Sequence, residues 1–197
     1  MKREVIEHYD LLIDENNDPV LDAPILKEYM DKYDGDTFID ALCLNKKSKV
    51  LEIGVGTGRL ALKVVNQCKE FTGIDLSSKT IERGKTYLKN DNVSLICDDF
   101  LEHKFEKKFN IIYSSLTFMH FEDKLKVLNK IYKLLHLNGR TIISINKEQN
   151  NVLDYGTRKI KVYPINKEDF INLINESNLI IEDIKEVEFS YIFVLKK

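Results

Sequence analysis

The stretch Val50-Leu51-Glu52-Ile53-Gly54-Val55-Gly56-Thr57-Gly58-Arg59-Leu60 decides the fold of this chain. The aliphatic run over residues 49–53 predicts a short strand that is covered on both faces of its sheet. Three glycines at alternate positions follow, and the apolar spacing over residues 60–68 predicts a helix. This order places bare backbone and a helix N-terminus at the carboxyl edge of a parallel sheet, where a ligand can lie against the main chain.

The spacing of the glycines and the acids around them indicate the kind of ligand. A dinucleotide fingerprint, G-x-G-x-x-G, would need glycine where the sequence has Arg59. Glu52 points toward the turn, and its negative charge would repel a pyrophosphate but attract a cation. A second predicted strand, residues 71–75, ends in Asp75, whose carboxylate can accept hydrogen bonds from both hydroxyls of a ribose. A ligand with a ribose, a positive charge and no phosphate fits S-adenosyl-L-methionine.

Four sequence blocks in this order resemble the class I S-adenosylmethionine-dependent methyltransferases. They lie at 51–59, 73–77, 97–101 and 109–115, the last followed by Met119-His120. The resemblance implies an α/β, three-layer αβα Rossmann-like methyltransferase fold with a mostly parallel seven-stranded sheet and an antiparallel terminal strand. It also implies one domain over 1–197, in which 1–45 form a helical N-terminal cap and 46–197 form the Rossmann-like core.

The same resemblance implies roles for residues after the third predicted strand. An acid there accepts a hydrogen bond from the exocyclic amine of adenine. We prefer Asp99 for this role, and Asp98 stays open because the two are adjacent. The next backbone N–H, that of Phe100, meets the adenine ring. The expected cofactor-binding residues are Tyr9, Glu52, Gly54, Gly56, Thr57, Gly58, Arg59, Asp75, Leu76, Asp99, Phe100, Ser114 and Ser115.

Methyl transfer from an activated sulfonium needs an acceptor in near-attack geometry, with a base where one is required. His120 is the candidate catalytic base, because its ordinary pKa lies near neutrality and it follows the fourth predicted strand. The alternative is a histidine that caps a helix or packs in the core. Tyr113 and Ser115 are weaker candidates for contacts with the acceptor or cofactor.

The N-terminal segment, by the same resemblance, covers the cofactor and helps to shape the substrate pocket. Tyr9, Tyr29 and Tyr33 are its candidate pocket residues, and ordinary packing is the alternative for each.

The composition and several missing motifs favour a small-molecule methyl acceptor. A net charge of −2, from 30 basic and 32 acidic residues, leaves no electrostatic footprint for long nucleic acid. Tyr113-Ser114-Ser115-Leu116 differs from the Asn/Asp-Pro-Pro-aromatic tetrad of enzymes that methylate nucleic-acid or protein nitrogens. We find no Pro-Cys pair and no acidic cluster for magnesium, so no metal is expected. The alternatives are a methyltransferase of tRNA or protein, a non-catalytic cofactor-binding module and an NAD(P)-dependent oxidoreductase, which the glycine spacing disfavours.

Cysteine usage and the absence of apolar runs bear on the compartment. Cys43, Cys68 and Cys97 show no C-x-x-C pairing and are expected to be buried or half-buried reduced thiols. The charged N-terminus does not resemble a secretory signal, and no apolar run reaches the length of a membrane span. We expect a cytoplasmic monomer or homodimer with no membrane partner.

The remaining pattern gives expectations for individual elements. We expect Thr37 to cap a third short helix, Ser77 or Ser78 to cap the helix after Asp75, and Asn138-Gly139 to end a helix over 122–137. The last two predicted strands are joined too tightly for a crossover and must be antiparallel. Residues 147–164 form either a surface hairpin or a flap in which Arg158 and Lys159 would meet an anionic group.

Overall fold

A computed structural model describes residues 2–197. The helices are α1 (Lys2–Asp14), α2 (Pro24–Asp31), α3 (Gly35–Ala41), α4 (Ala61–Val64), α5 (Ser78–Tyr87), α6 (Lys124–Leu134) and α7 (Lys167–Glu176). The strands are β1 (Lys49–Ile53), β2 (Glu70–Asp75), β3 (Val93–Cys97), β4 (Phe109–Ser114), β5 (Leu135–Asn146), β6 (Val152–Asp154), β7 (Lys159–Lys161), β8 (Ile180–Glu186) and β9 (Ser190–Lys196).

Seven of the strands form the central sheet, in the order β3-β2-β1-β4-β5-β9-β8. The pairs from β3 to β5 are parallel, whereas β9 runs antiparallel to both β5 and β8. The antiparallel strand is therefore last in the chain but next to last in the sheet. The predicted α/β fold and the antiparallel final pair are confirmed.

Alternating strand residues build one core on each face of the sheet. Val50 and Ile111 pack under α3 and α4, while Leu51 and Ile112 face α6 and α7. Glu52 and Tyr113 are register partners in β1 and β4. By alternation Glu52 points to the same face as Val50, which carries its carboxyl into the protein interior.

Helix caps explain several of the element boundaries. Ser77 caps α5 by accepting a hydrogen bond from the Thr80 N–H, as one of the two predicted choices. The prediction that Thr37 caps α3 is wrong: Asp34 caps this helix, which begins at Gly35. A carboxylate just before a glycine with φ of +53° satisfies the first backbone donor without a side-chain clash.

Two predicted helices are shorter than expected. The helix over 60–68 is reduced to α4 followed by a 3₁₀ turn over Val65–Gln67. The helix over 122–137 is α6, which begins after the cap Asp123 and ends at Leu134. The chain enters β5 at Leu135, which pairs with Phe109 before a bulge. Asn138-Gly139 therefore lies inside β5, and the positive φ of Asn138 serves that irregular strand start, not a helix end.

Residues 147–164 contain a small hairpin, formed by the antiparallel pair β6 and β7. Arg158, which would meet an anionic group in the flap alternative, forms a bidentate ion pair with Glu15, the residue after α1, at 2.7 and 2.8 Å. It also donates to His8 Nδ1 of α1 at 2.8 Å. Lys159 pairs with Asp154 of the same hairpin. The hairpin is thus fastened to α1, with both basic side chains already paired to carboxylates.

Candidate functional site

The glycine turn after β1 has left-handed backbone at all three glycines. Their φ angles are +77° at Gly54, +56° at Gly56 and +101° at Gly58. A Cβ at Gly54 would lie 2.1 Å from Thr117 Oγ1, and one at Gly58 would lie 2.7 Å from Leu88 Cδ1. A Cβ at Gly56 would meet no atom within 4 Å. The outer glycines are therefore required by packing, while the middle one faces the open space that a ligand can fill.

Asp75 joins the end of β2 to this turn. Its Oδ2 accepts the Gly56 N–H at 3.0 Å, and its Oδ1 accepts the Ser77 N–H at 3.0 Å. Burial raises the pKa of Asp75, although these backbone donors favour the ionised form. Each oxygen of a carboxylate can accept a further hydrogen bond, so this acid can still receive ribose hydroxyls. Leu76 follows it, half-buried at the same edge.

The two acids after β3 both have partners. Asp98 accepts its neighbour's N–H and contacts His103 Nδ1 at 2.9 Å, which lowers the pKa of Asp98. Asp99 accepts the Leu101 N–H at 2.7 Å and forms an ion pair with Lys2 of α1. Phe100 packs its ring against the core, so only its backbone faces the sheet edge. The choice between Asp98 and Asp99 for adenine stays a prediction.

The charge expected at Glu52 needs a correction. The Glu52 carboxyl is 3% exposed and accepts a hydrogen bond from the Tyr113 hydroxyl at 2.7 Å. Burial raises the pKa of Glu52 to about 8, so the carboxyl is largely protonated at neutral pH. It cannot attract a cationic ligand in that state. The expectation came from sequence order alone, which placed the acid beside the turn without showing the depth of its side chain.

Arg59, predicted to bind the cofactor, forms a buried ion pair with Asp34. The guanidinium donates through both terminal nitrogens to the Asp34 carboxylate, with the Nη1–Oδ1 distance 3.0 Å. Ser115 Oγ donates to the same carboxylate at 2.7 Å, and Ser144 Oγ donates to Ser115 Oγ. Ser114 Oγ donates instead to the Ile53 carbonyl. Asp34 thus ties α3 to the glycine turn and to the ends of β4 and β5.

Sequence reasoning missed two carboxylates that carry the N-terminal segment onto the site. Thr57 Oγ1 donates to Asp18 Oδ1 at 2.7 Å, and the Tyr87 hydroxyl donates to its other oxygen at 2.8 Å. Asp10 of α1 accepts a hydrogen bond from Ser77 Oγ at 2.6 Å. No local pattern marks them, since aspartate before a proline, as at Asp18, is common in turns for local reasons.

Tyr9 and His120 meet at the carboxyl end of β4. The Tyr9 hydroxyl lies 2.8 Å from His120 Nε2. Burial lowers the pKa of His120 to about 4 and raises that of Tyr9, so both side chains are neutral at physiological pH. His120 Nδ1 is buried and has no hydrogen-bond partner within residues 2–197. The Tyr9 contact therefore occupies one of the two imidazole nitrogens of His120.

The other two candidate tyrosines lie elsewhere. Tyr29 and Tyr33 pack on each other and on Phe189, with ring centroids 5.0 to 6.1 Å apart. Of the three tyrosines proposed for the substrate pocket, the structure brings only Tyr9 to His120.

Residues 2–197 contain no group of three or more His, Cys, Asp or Glu side chains placed to hold a metal ion. The three cysteines are unpaired, and Cys43 and Cys97 are exposed, contrary to the expected burial, while Cys68 is buried. None of the helices within that range is both long enough and apolar enough to span a bilayer.

Comparison with known proteins agrees with this geometry. Residues 50–139 match a family model described as a methyltransferase domain. The chain is 38% identical over 105 residues to malonyl-[acyl-carrier protein] O-methyltransferase of Priestia megaterium, covering 51% of this chain and 37% of that protein. An uncharacterized methyltransferase of Anoxybacillus flavithermus is 31% identical over 130 residues, covering 62% of this chain and 60% of that protein.

A solved structure shares the whole fold. Magnesium protoporphyrin IX methyltransferase from Synechocystis PCC 6803, with bound S-adenosylhomocysteine, aligns with a TM-score of 0.74 and 14% identity. The alignment covers 100% of this chain and 99% of that one. The malonyl-[acyl-carrier protein] relatives are longer, since this chain aligns with only 37% to 38% of three of them. The chain thus carries a methyltransferase domain over residues 50–139, and its sheet order is that of the S-adenosylmethionine-dependent methyltransferase fold.

Proposed function

We propose that this protein transfers the methyl group of S-adenosyl-L-methionine to a small-molecule acceptor held beside Tyr9 and His120. The observation that carries the proposal is the Tyr9–His120 hydrogen bond at the carboxyl end of β4. Ligands of open α/β sheets collect at that edge, next to the strand order reversal between β1 and β4. The glycine turn and Asp75 lie at the same edge, so cofactor and acceptor sites adjoin.

The residues present fit the cofactor. The space in front of Gly56, which a Cβ would enter without contact, can receive the methionine part. Asp75 would bind the ribose hydroxyls, and Asp99 or Asp98 with the Phe100 N–H would bind adenine. Thr57, Leu76, Ser114 and Ser115 complete the predicted set around it. Glu52 and Arg59 would stabilise the turn indirectly, through the hydrogen bond between Glu52 and Tyr113 and the ion pair between Arg59 and Asp34.

For methyl transfer, the protein has chiefly to position the acceptor against the methyl group. When bound, S-adenosylmethionine supplies an activated methyl group on a positively charged sulfur. Tyr9 and His120 would orient the acceptor, and the neutral imidazole can accept a proton or a hydrogen bond through whichever nitrogen is unprotonated. The N-terminal segment would exclude water by covering the edge, where Asp10 and Lys2 hold α1 and Glu15 holds the residue after it. No step requires a metal or a covalent enzyme intermediate.

The names of the relatives support a small acceptor without selecting one. One relative is named for an acyl group on a carrier protein and the other for a porphyrin, and neither name mentions a nucleic acid. For this chain, methylation of tRNA or protein stays the alternative within the family.

A screen for S-adenosylhomocysteine release tests the proposal. Wild-type protein is incubated with S-adenosylmethionine and a library of hydroxyl, amine and carboxylic-acid metabolites, with Asp75→Ala as the background control. We expect turnover with a small molecule above that control. Turnover only with tRNA or a protein substrate would overturn the small-acceptor assignment, and turnover with none would favour a non-catalytic cofactor-binding module.

A further inference from the structure

A cavity of about 310 Å³ opens against the loop that follows β4 and carries His120. The loop after β4 forms one wall through Thr117 and Met119, and the end of β5 forms a second through Ile145. The β6–β7 hairpin and the chain leaving it form the third wall. The Tyr163 N–H donates to the Met119 carbonyl at 2.7 Å, which fastens the hairpin exit to the loop that carries His120.

Lys124 lines this cavity and is unusual among the lysines of the chain. It is the first residue of α6, is 5% exposed, and donates to the carbonyl oxygens of Phe121, at 2.7 Å, and Tyr163. Among the ion pairs formed within residues 2–197, none joins a carboxylate to Lys124 within 4.0 Å. An ammonium has three donors, so one remains for a ligand.

The energetics of this lysine favour an anionic partner. A buried charge is costly unless an opposite charge or a ligand compensates it. Burial lowers the pKa of Lys124 to about 8, and the two carbonyl groups do not restore it. The lysine also acts electrostatically on His120, four positions earlier in the chain, whose pKa is lowered by burial, by His8 and by this lysine.

The other residues that line the cavity narrow the choice of anion. Apolar walls from Ile145, Val152 and Ile165 suit a hydrocarbon body. Two exposed acids, Glu148 and Asp154, lie at the rim. Asp154 is paired with Lys159, but Glu148 would repel a doubly charged phosphate monoester more strongly than a singly charged carboxylate.

We propose that the methyl acceptor carries a carboxylate and that Lys124 binds it in this cavity. The inference rests on the proposed function, because it makes the cavity the acceptor side of the methyl-transfer site. It assigns to Lys124 a role in acceptor binding, and it leaves S-adenosylmethionine binding to the glycine turn and Asp75.

Binding of matched probes to protein saturated with S-adenosylhomocysteine tests this assignment. Hexanoate, hexanamide and hexyl phosphate share one chain and differ in head group. We expect calorimetry to show that hexanoate binds about tenfold or more tighter than hexanamide, because one charge-assisted contact provides about that gain in affinity. Hexyl phosphate should also bind more weakly than hexanoate. Lys124→Met should abolish the preference for the acid. Lys126→Met, which removes an exposed lysine two positions later in the same helix, should preserve it.

The outcomes separate this inference from the proposed function. Failure of wild-type protein to bind S-adenosylhomocysteine would overturn the function itself. Normal cofactor binding with equal or absent hexanoate and hexanamide binding, or tighter binding of hexyl phosphate, would overturn only the carboxylate site. Because Lys124→Met also removes two hydrogen bonds, Val152→Trp provides a second test by filling the cavity from its rim. Loss of hexanoate binding with cofactor binding retained supports the site, and unchanged hexanoate binding contradicts it.

Discussion

The Tyr9 hydroxyl lies 2.8 Å from Nε2 of His120, although 111 positions separate the two residues in the chain. The first belongs to α1 and the second to the 3₁₀ turn after β4. In the proposed function, this contact makes the N-terminal helix part of the acceptor side of the site. A rigid sheet edge and a short covering helix together define the position of one neutral imidazole.

Removing the Tyr9 hydroxyl tests this contact in catalysis. We expect Tyr9→Phe to lower kcat by roughly tenfold to a hundredfold with the first acceptor identified, since misplaced positioning groups cost about this much. S-adenosylhomocysteine affinity should stay within about twofold, because the phenyl ring keeps its packing against His8 and His120. Tyr29→Phe, in the separate aromatic cluster, is the control. An unchanged kcat in Tyr9→Phe would remove Tyr9 from the acceptor site.

We expect Gly56, the middle glycine of the turn, to affect ligand binding and hardly to affect packing. Gly56→Ala places a methyl group in open space at φ +56°, so we expect about 1–2 kcal/mol lower stability from backbone strain alone. It should also weaken S-adenosylhomocysteine binding by roughly tenfold or more, because the new methyl occupies ligand space. Gly156→Ala, at φ +76° in the β6–β7 turn and equally open, is the matched control. Equal affinities in the two variants would place the ligand elsewhere.

Asp34 should be a major contributor to the stability of the fold. Asp34→Ala leaves the mostly buried Arg59 guanidinium without its carboxylate, and breaking such a pair costs about 3–5 kcal/mol. Urea unfolding measures this loss. Asp36→Ala removes a 96% exposed acid two residues later and should change the free energy of unfolding by less than about 0.5 kcal/mol. Similar losses of stability in both variants would show that the buried Asp34–Arg59 pair stabilises the fold no more than an exposed acid does.

Glu52 should make stability fall as the pH rises. Its pKa is about 8 in the folded protein and near 4.5 when unfolded, so folding favours the protonated carboxyl. This contribution is complete below about pH 4.5 and is lost as the pH rises through about 8. Glu52→Gln stays neutral throughout and should gain stability relative to wild type across that window. Taking the difference between the two proteins removes the titration of His8 and His120, which both contain. Parallel curves would show that Glu52 is ionised in the folded state.

Local patterns predicted the parts of the fold that depend on neighbouring residues. β1 has the predicted bounds, because a short aliphatic run ended by turn residues leaves few alternatives. The boundary between α6 and β5 was wrong because strand pairing with Phe109 overrode the local Asn138-Gly139 signal. Propensity is a weak guide where tertiary contacts compete with it.

The candidate site likewise has one part that could be predicted from the sequence and one part that could not. Asp75 and the glycine turn follow one strand each, so their meeting at the sheet edge could be predicted from topology. The Asp34–Arg59 pair, the Asp18–Thr57 bond and the buried Lys124 join segments distant in the chain, and no local pattern marks them. Their positions follow only from packing of the N-terminal segment and the hairpin against the sheet. The predicted roles of the cofactor-binding residues and the single-domain boundaries stay predictions.

Calorimetric titration with S-adenosylhomocysteine tests the central claim most directly, which is that the glycine turn and Asp75 bind the cofactor. We expect saturable binding to wild-type protein without competition from NAD, and a loss of roughly 1–3 kcal/mol of binding free energy in Asp75→Ala. Asp91→Ala, at an exposed turn, should bind like wild type. Equal affinity in wild type and Asp75→Ala, or binding of NAD in place of S-adenosylhomocysteine, would contradict the account.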